Sequence, residues 1–116
     1  MHDIGGTRCL VVDAPRTIRS ADDARDLIGE AMSERTSVIV IPSASLDPAF
    51  FQLRSGVAGE ILQKMANYGR KLAIVGDISE HVAASDAFRD LVRESDRSDT
   101  LFFVADLDAL AARLAP

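Results

Sequence analysis

Cysteine and aromatic residues are scarce, and the shortage of cysteine excludes several kinds of protein. Cys9 is the only cysteine, so we expect no intramolecular disulfide and no zinc site built on thiolates. It adjoins an apolar run, and we expect it to pack in the core. No run approaches the ~20 apolar residues of a membrane span, and the first residues lack the basic and apolar regions of a signal peptide. We therefore expect a cytoplasmic protein.

Positive charge is also in short supply. There are 13 Lys and Arg residues against 18 Asp and Glu residues, which gives a formal net charge of −5 and a pI of about 4.9. Proteins that bind nucleic acid usually present a basic surface, and docking on an anionic membrane needs one as well. We expect neither nucleic acid nor a membrane among the partners.

The composition is that of one globular domain. A chain of 116 residues, 47% of them apolar and 27% charged, can bury a core without disulfides or metal. Residues 1–7 are polar and glycine-rich, and we expect a disordered N-terminal tail there. Residues 8–116 are then expected to form a single domain.

Four short apolar runs predict strands, because each is continuously apolar, as in strands buried on both faces of a sheet. These runs are residues 9–12, 38–41, 72–75 and 101–104. Amphipathic patterns after each run predict helices. The order β-α-β-α-β-α-β-α predicts an α/β domain with a mainly parallel sheet of four to five strands and alternating helices.

Three of the predicted strands end in aspartate, at Asp13, Asp77 and Asp106. The carboxyl ends of parallel strands are where ligands bind in such sheets, and neighbouring carboxylates could share a magnesium ion. Aspartate after a strand also caps the next helix or turns the loop, which is the interpretation we favour. We therefore assign no metal site and no cofactor.

The stretch from Phe50 to Gln63 carries a loop with bulky apolar residues into a helix through Ser55-Gly56. The first N–H groups of a helix are unpaired and can hold an anion, with Arg54 adding positive charge. Alternatively, Ser55 is simply an N-cap and Gly56 permits close packing. The stretch lacks the Lys-Ser/Thr pair of a phosphate-binding loop.

A polar pocket is an alternative hypothesis, because paired carboxylates and arginines shift each other's pKa values when they converge. The anion site at the start of the helix and the polar pocket together give these candidate ligand-binding residues: Arg54, Ser55, Gly56, Glu60, Asp77, Glu94 and Arg97. Alternating charge from Arg89 to Arg97 indicates a solvated helix face, although Glu94 and Arg97 could reach toward Asp77. His81 is the only plausible base at neutral pH, but no nucleophile stands at a meaningful spacing. Catalytic residues therefore stay unassigned, and so does enzymatic activity.

The predicted helices and strands already supply enough apolar residues for a core. Three bulky apolar residues of the loop are therefore surplus: Phe50, Phe51 and Leu53. Exposed in a loop, they would form a patch for a homodimer or another protein partner. The alternative is that they fold under the loop as a lid on the sheet edge.

A set of short segments also forms a recognisable pattern. These segments are Phe50-Phe51, Leu53 to Gly56, Ala58 to Lys64, Asn67-Tyr68, Lys71 to Asp77, Arg89-Asp90, Glu94-Ser95 and Phe102 to Val104. The pattern resembles a bacterial family known only as a domain of unknown function (number 4180), over about residues 8–115. That resemblance implies no particular activity.

More distantly, the layout is similar to the STAS domain of sulfate transporters and anti-sigma-factor antagonists. The segment from Tyr68 to Gly76 resembles its Gly-Lys/Arg-x-Leu-x-Ile/Leu-Val-Gly strand. Arg54 stands where the antagonists have a phosphorylated serine, so the resemblance implies a permanent cation instead of a phosphoswitch. We therefore expect a STAS-like binding or regulatory module that acts through another protein or a small anionic ligand, with a small enzyme or ligand sensor as the alternative.

Overall fold

A computed structural model describes residues 2–13 and 16–115, which form five strands, five α-helices and three short 3₁₀ turns. The strands are β1 (His2–Ile4), β2 (Thr7–Val11), β3 (Val38–Pro42), β4 (Lys71–Val75) and β5 (Leu101–Val104). The helices are α1 (Ala21–Glu34), α2 (Val57–Asn67), α3 (Ser79–Ala84), α4 (Asp86–Ser95) and α5 (Leu107–Leu114). The 3₁₀ turns are Ser43–Ser45, Pro48–Phe51 and Leu53–Ser55. No helix within the described ranges is both long and apolar enough to cross a bilayer.

The sheet is mixed, and its strands stand in chain order from β1 to β5. Strands β2 to β5 run parallel, whereas β1 pairs antiparallel with β2. The prediction of an α/β domain with four buried strands is confirmed by β2, β3, β4 and β5. The antiparallel edge strand is the difference from the sequence-based expectation.

We expect a disordered tail at residues 1–7, but β1, a turn and the first residue of β2 lie within this segment. Gly5 and Gly6 turn the chain with φ angles of +59° and +84°, which favour glycine. Of the three residues of β1, only Ile4 is buried. One buried residue in a polar, glycine-rich segment gives no alternating apolar pattern, so the sequence carries no signal for this strand.

Helices cover the two faces of the sheet unequally. Leu10, Ile39 and Leu72 face a layer formed by α1, α2 and α4. Cys9, Val40 and their neighbours face α5 through its buried Leu110. Right-handed crossovers between sequential parallel strands place the first three connections on one face, and α5 alone lies on the other.

Candidate functional site

The chain leaves the carboxyl ends of β4 and β5 in opposite directions. After β4 it passes through Gly76 and Asp77 to α3 and α4, whose apolar side chains belong to the layer of α1 and α2. After β5 it passes to α5, on the opposite face. In open parallel sheets, the point where neighbouring connections diverge leaves a crevice in which ligands bind.

A cleft of about 700 Å³ lies at this point, and we call it the carboxyl-end cleft. It is lined by Gly76, Asp77, Ile78, Ser79, Val82, Ala83, Arg89, Val92, Phe103, Val104 and Ala105. Most of these residues are apolar, and the charged ones are one carboxylate and one guanidinium. The size and the mixture of many apolar and few polar groups are typical of small-molecule sites.

Asp77 stands exposed at the start of α3. Its Oδ1 accepts a hydrogen bond from the backbone N–H of Ser79 at 2.9 Å. This bond and a side-chain bond from Ser79 lower the pKa of Asp77, against a small opposing effect of desolvation. The carboxylate is therefore ionised at neutral pH, and it places a negative charge beside the cleft.

Arg89 supplies the positive charge of the carboxyl-end cleft from the first turn of α4. Its Nη2 lies 3.4 Å from Oδ1 of Asp86, but both side chains are well exposed, at 43% and 89%. Exposed pairs of this kind contribute little. The Nε atom of Arg89 is buried and has no hydrogen-bond partner. The positive charge and the hydrogen-bond donors of the guanidinium are thus only partly paired within the protein.

The predicted polar pocket is divided among separate surfaces. Asp77 lines the carboxyl-end cleft, Glu60 lines a shallow surface along α2, and Glu94 lines a groove at the amino ends of β4 and β5. Arg54 and Arg97 are exposed and line none of these three surfaces. The structure therefore does not bring these five side chains together.

The Ser55-Gly56 step forms the entry into α2, but not as the alternative predicts. Gly56, not Ser55, is the N-cap residue, and no atom lies within 4 Å of a Cβ built on Gly56, so its positive φ and not close packing calls for glycine. The Ser55 hydroxyl donates to the carbonyl oxygen of Ala49 at 2.6 Å and accepts the N–H of Val57 at 3.2 Å. Gly56 precedes α2 with a φ of +83°, in the left-handed region. Ser55 and Gly56 are thus accounted for by the entry into α2, and Arg54 beside them remains exposed.

Phe50 and Phe51 fold under the loop instead of forming a surface patch. They are 0% and 4% exposed, and Leu53 is half-buried. The ring of Phe51 stacks on His81 at a centroid distance of 3.7 Å and meets Phe88 edge-on at 5.3 Å. His81, the plausible neutral-pH base of the sequence, thus lies on α3 and packs against this aromatic cluster.

Two of the three aspartates at the strand ends, Asp77 and Asp106, accept backbone hydrogen bonds that stabilise the following turn. Oδ1 of Asp106 accepts the N–H of Ala109 at 2.8 Å and caps α5, much as Asp77 accepts the N–H of Ser79. Asp13 is exposed after β2. No group of three or more possible metal ligands occurs among residues 2–13 and 16–115.

We expect Asp106→Ala to lower the free energy of unfolding by about 1 kcal/mol, because it removes an N-cap. Asp106→Asn retains a capping oxygen and should change the stability little. Urea unfolding of both variants, with and without millimolar magnesium, measures this. A magnesium-dependent gain in wild-type stability that both variants lose would contradict the capping role.

Of three comparisons with known proteins, one found a match, and that match is to a protein family. Residues 4–114 match the family model described as a domain of unknown function, DUF4180. Searches of curated proteins and of solved structures found no match.

Proposed function

We propose that this chain, which belongs to the family described as a domain of unknown function (DUF4180), is a binding module for a small monoanion with an apolar body. The observation that carries the proposal is the divergence of the chain after β4 and β5, which opens the carboxyl-end cleft. The ligand would lie in that cleft.

The walls of the cleft favour an apolar ligand body. Ile78, Val82 and Val92 come from the helical layer, and Phe103 comes from β5. All four are only partly buried. Covering them with a ligand would remove apolar surface from water, and each Å² so removed contributes roughly 25 cal/mol.

The charges favour a single negative charge on the ligand. Arg89 presents a guanidinium with a weak carboxylate partner, and it lies in the first turn of α4, where the helix dipole adds positive potential. The ionised Asp77 on the same lining repels further negative charge. A monoanion is therefore favoured over a polyanion such as a nucleotide.

Binding fits the cleft better than catalysis does. Its described lining contains no histidine or cysteine. The carboxylate beside Ser79, that of Asp77, is a weak base, because the hydrogen bonds from Ser79 lower its pKa. Asp77 is kept ionised, which is unsuitable for a general acid at neutral pH. The alternative hypothesis from the sequence is a small enzyme or a ligand sensor. The lining of the cleft supports the ligand sensor over the enzyme.

A matched pair of probes tests the proposal. Naphthylacetate has an apolar ring system and a carboxylate, and naphthylacetamide has the same shape without the charge. We expect thermal stabilisation by naphthylacetate and a weaker effect of the amide. Saturation at 100 times Kd would contribute about 2.7 kcal/mol, a shift of several degrees in Tm for a domain of this size.

Arg89→Gln should weaken the binding of naphthylacetate by about 10-fold or more, because hydrogen bonds to charged groups contribute about 1.5–3 kcal/mol. Glutamine has a similar helix propensity to arginine, so α4 should survive. Arg93→Gln is the control, since Arg93 lies exposed one turn further along α4 and outside the cleft. Equal loss in both variants, or equal binding of acid and amide, would contradict the proposal.

A further inference from the structure

A second concave surface lies at the opposite end of the sheet. A groove of about 510 Å³ runs between α2 and α4, over the amino ends of β4 and β5, and we call it the amino-end groove. Its apolar lining is aliphatic: Leu62, Ala66 and Leu91 are at least partly exposed, whereas Met65, Leu72 and Leu101 are buried beneath them. The described lining contains no aromatic ring, unlike that of the carboxyl-end cleft.

Arg70 is a fixed cation in the lining of this groove. Its Nη1 donates to the carbonyl oxygen of Thr36 at 3.2 Å, and Thr36 itself is fully buried. The Nε atom is buried without a hydrogen-bond partner. No carboxylate within the described chain lies within ion-pair distance of Arg70. A guanidinium that is held by a neutral carbonyl retains its attraction for an anion.

The Arg70 side chain is not needed to finish α2. The backbone N–H groups of Gly69 and Arg70 already bond to the carbonyl oxygens of Ala66 and Met65, at 3.1 and 2.9 Å. The end of α2 is therefore satisfied by the backbone, and the guanidinium is not needed to cap this helix.

Two more charged residues, Lys71 and Glu94, line the amino-end groove. Their charges are opposite and offset each other, so Arg70 decides the sign of the net charge. The lining side chains thus carry one net positive charge between aliphatic walls, which is opposed by the partial negative charge at the carboxyl ends of α2 and α4.

We propose that the amino-end groove binds a small aliphatic carboxylate, with its methylene chain between α2 and α4 and its carboxylate facing Arg70. A flexible chain suits a groove walled by leucine and methionine, and a carboxylate is the planar acceptor that a guanidinium pairs with best. This site is separate from the carboxyl-end cleft, and it does not depend on the function proposed for that cleft.

Calorimetric titration of the full chain with octanoate tests this inference, with octanamide as the uncharged counterpart. In the Arg89→Gln protein, whose carboxyl-end cleft lacks its cation, we expect one equivalent of octanoate to bind at least 10-fold more tightly than octanamide. From hexanoate to octanoate, each added methylene should tighten binding roughly fourfold, the fold-change that corresponds to about 0.8 kcal/mol. Saturating naphthylacetate should leave octanoate binding unchanged.

Two variants locate the binding site. Arg70→Gln should weaken octanoate binding at least 10-fold, and Ala66→Phe should also weaken it, because Ala66 is an exposed residue whose enlargement fills the groove. Arg93→Gln and Ala87→Phe are the matched controls on exposed parts of α4. If Arg70→Gln fails to fold, Ala66→Phe decides.

Any of four results would overturn the inference. Octanoate could fail to bind at millimolar concentration, or octanamide could bind equally well. Naphthylacetate could displace octanoate, or Ala66→Phe could leave octanoate binding unchanged.

Discussion

Phe50→Ala is expected to lower the free energy of unfolding by about 3–5 kcal/mol, the usual range for a buried phenylalanine. The side chain is fully buried, and its ring meets that of Phe51 edge-on at a centroid distance of 5.4 Å. Domains are stable by only about 5–15 kcal/mol, so the loss would be a large fraction of the total. Urea unfolding followed by circular dichroism measures it.

The same variant separates the two interpretations of the Phe50–Phe51 segment. If Phe50 formed a surface patch, its removal would change self-association and leave stability nearly intact. Met32→Ala is the matched control, because Met32 is 48% exposed and its truncation should change stability by less than about 0.5 kcal/mol. A Phe50→Ala protein as stable as this control would contradict the burial of Phe50.

Gly76→Ala is expected to cost about 2–4 kcal/mol, because two penalties coincide at this position. Gly76 has a φ of +135°, which side-chain-bearing residues rarely adopt. A Cβ atom there would also overlap Oγ of Ser43, from the turn after β3. Since Gly76 begins the connection that leaves β4, the substitution should also weaken ligand binding in the carboxyl-end cleft.

Gly59→Ala is the control for this variant. Gly59 lies on the exposed side of α2, and no atom lies within 4 Å of a Cβ built there. Alanine should therefore stabilise the protein by roughly 0.5–1 kcal/mol through helix propensity. Thermal and urea unfolding of both variants measure the difference, and a stable Gly76→Ala protein would contradict the backbone conformation at residue 76.

The central strands could be predicted because their sequences allow few alternatives. Runs such as residues 38–41 are β-branched throughout and are buried on both faces of the sheet. The short edge strand β1 could not be predicted, since it is stabilised by pairing with β2 and by a single buried Ile4. Whether such a short strand forms depends on its pairing with another strand, and this pairing leaves no signal in the local sequence.

The candidate site depended on information that one sequence does not contain. The interpretation of strand-end aspartates as capping or turn residues is confirmed for Asp77 and Asp106, and it stays a prediction for Asp13. Arg89 has the sequence pattern of a solvated helix face, and only the strand order places it beside Phe103 in one cleft. Phe50 and Phe51 belong to the core and are not surplus to it, but a composition cannot say whether rings in a loop turn inward or outward.

The most direct test of the proposed function is chemical-shift mapping of the ¹⁵N-labelled chain during titration with naphthylacetate. We expect saturable shifts for the amides of Ile78, Val82 and Phe103, all of which line the carboxyl-end cleft, and their loss in Arg89→Gln but not in Arg93→Gln. Shifts centred on Arg54 and Gly56 instead, or no saturable shift at millimolar ligand, would contradict a binding site at the carboxyl ends of β4 and β5.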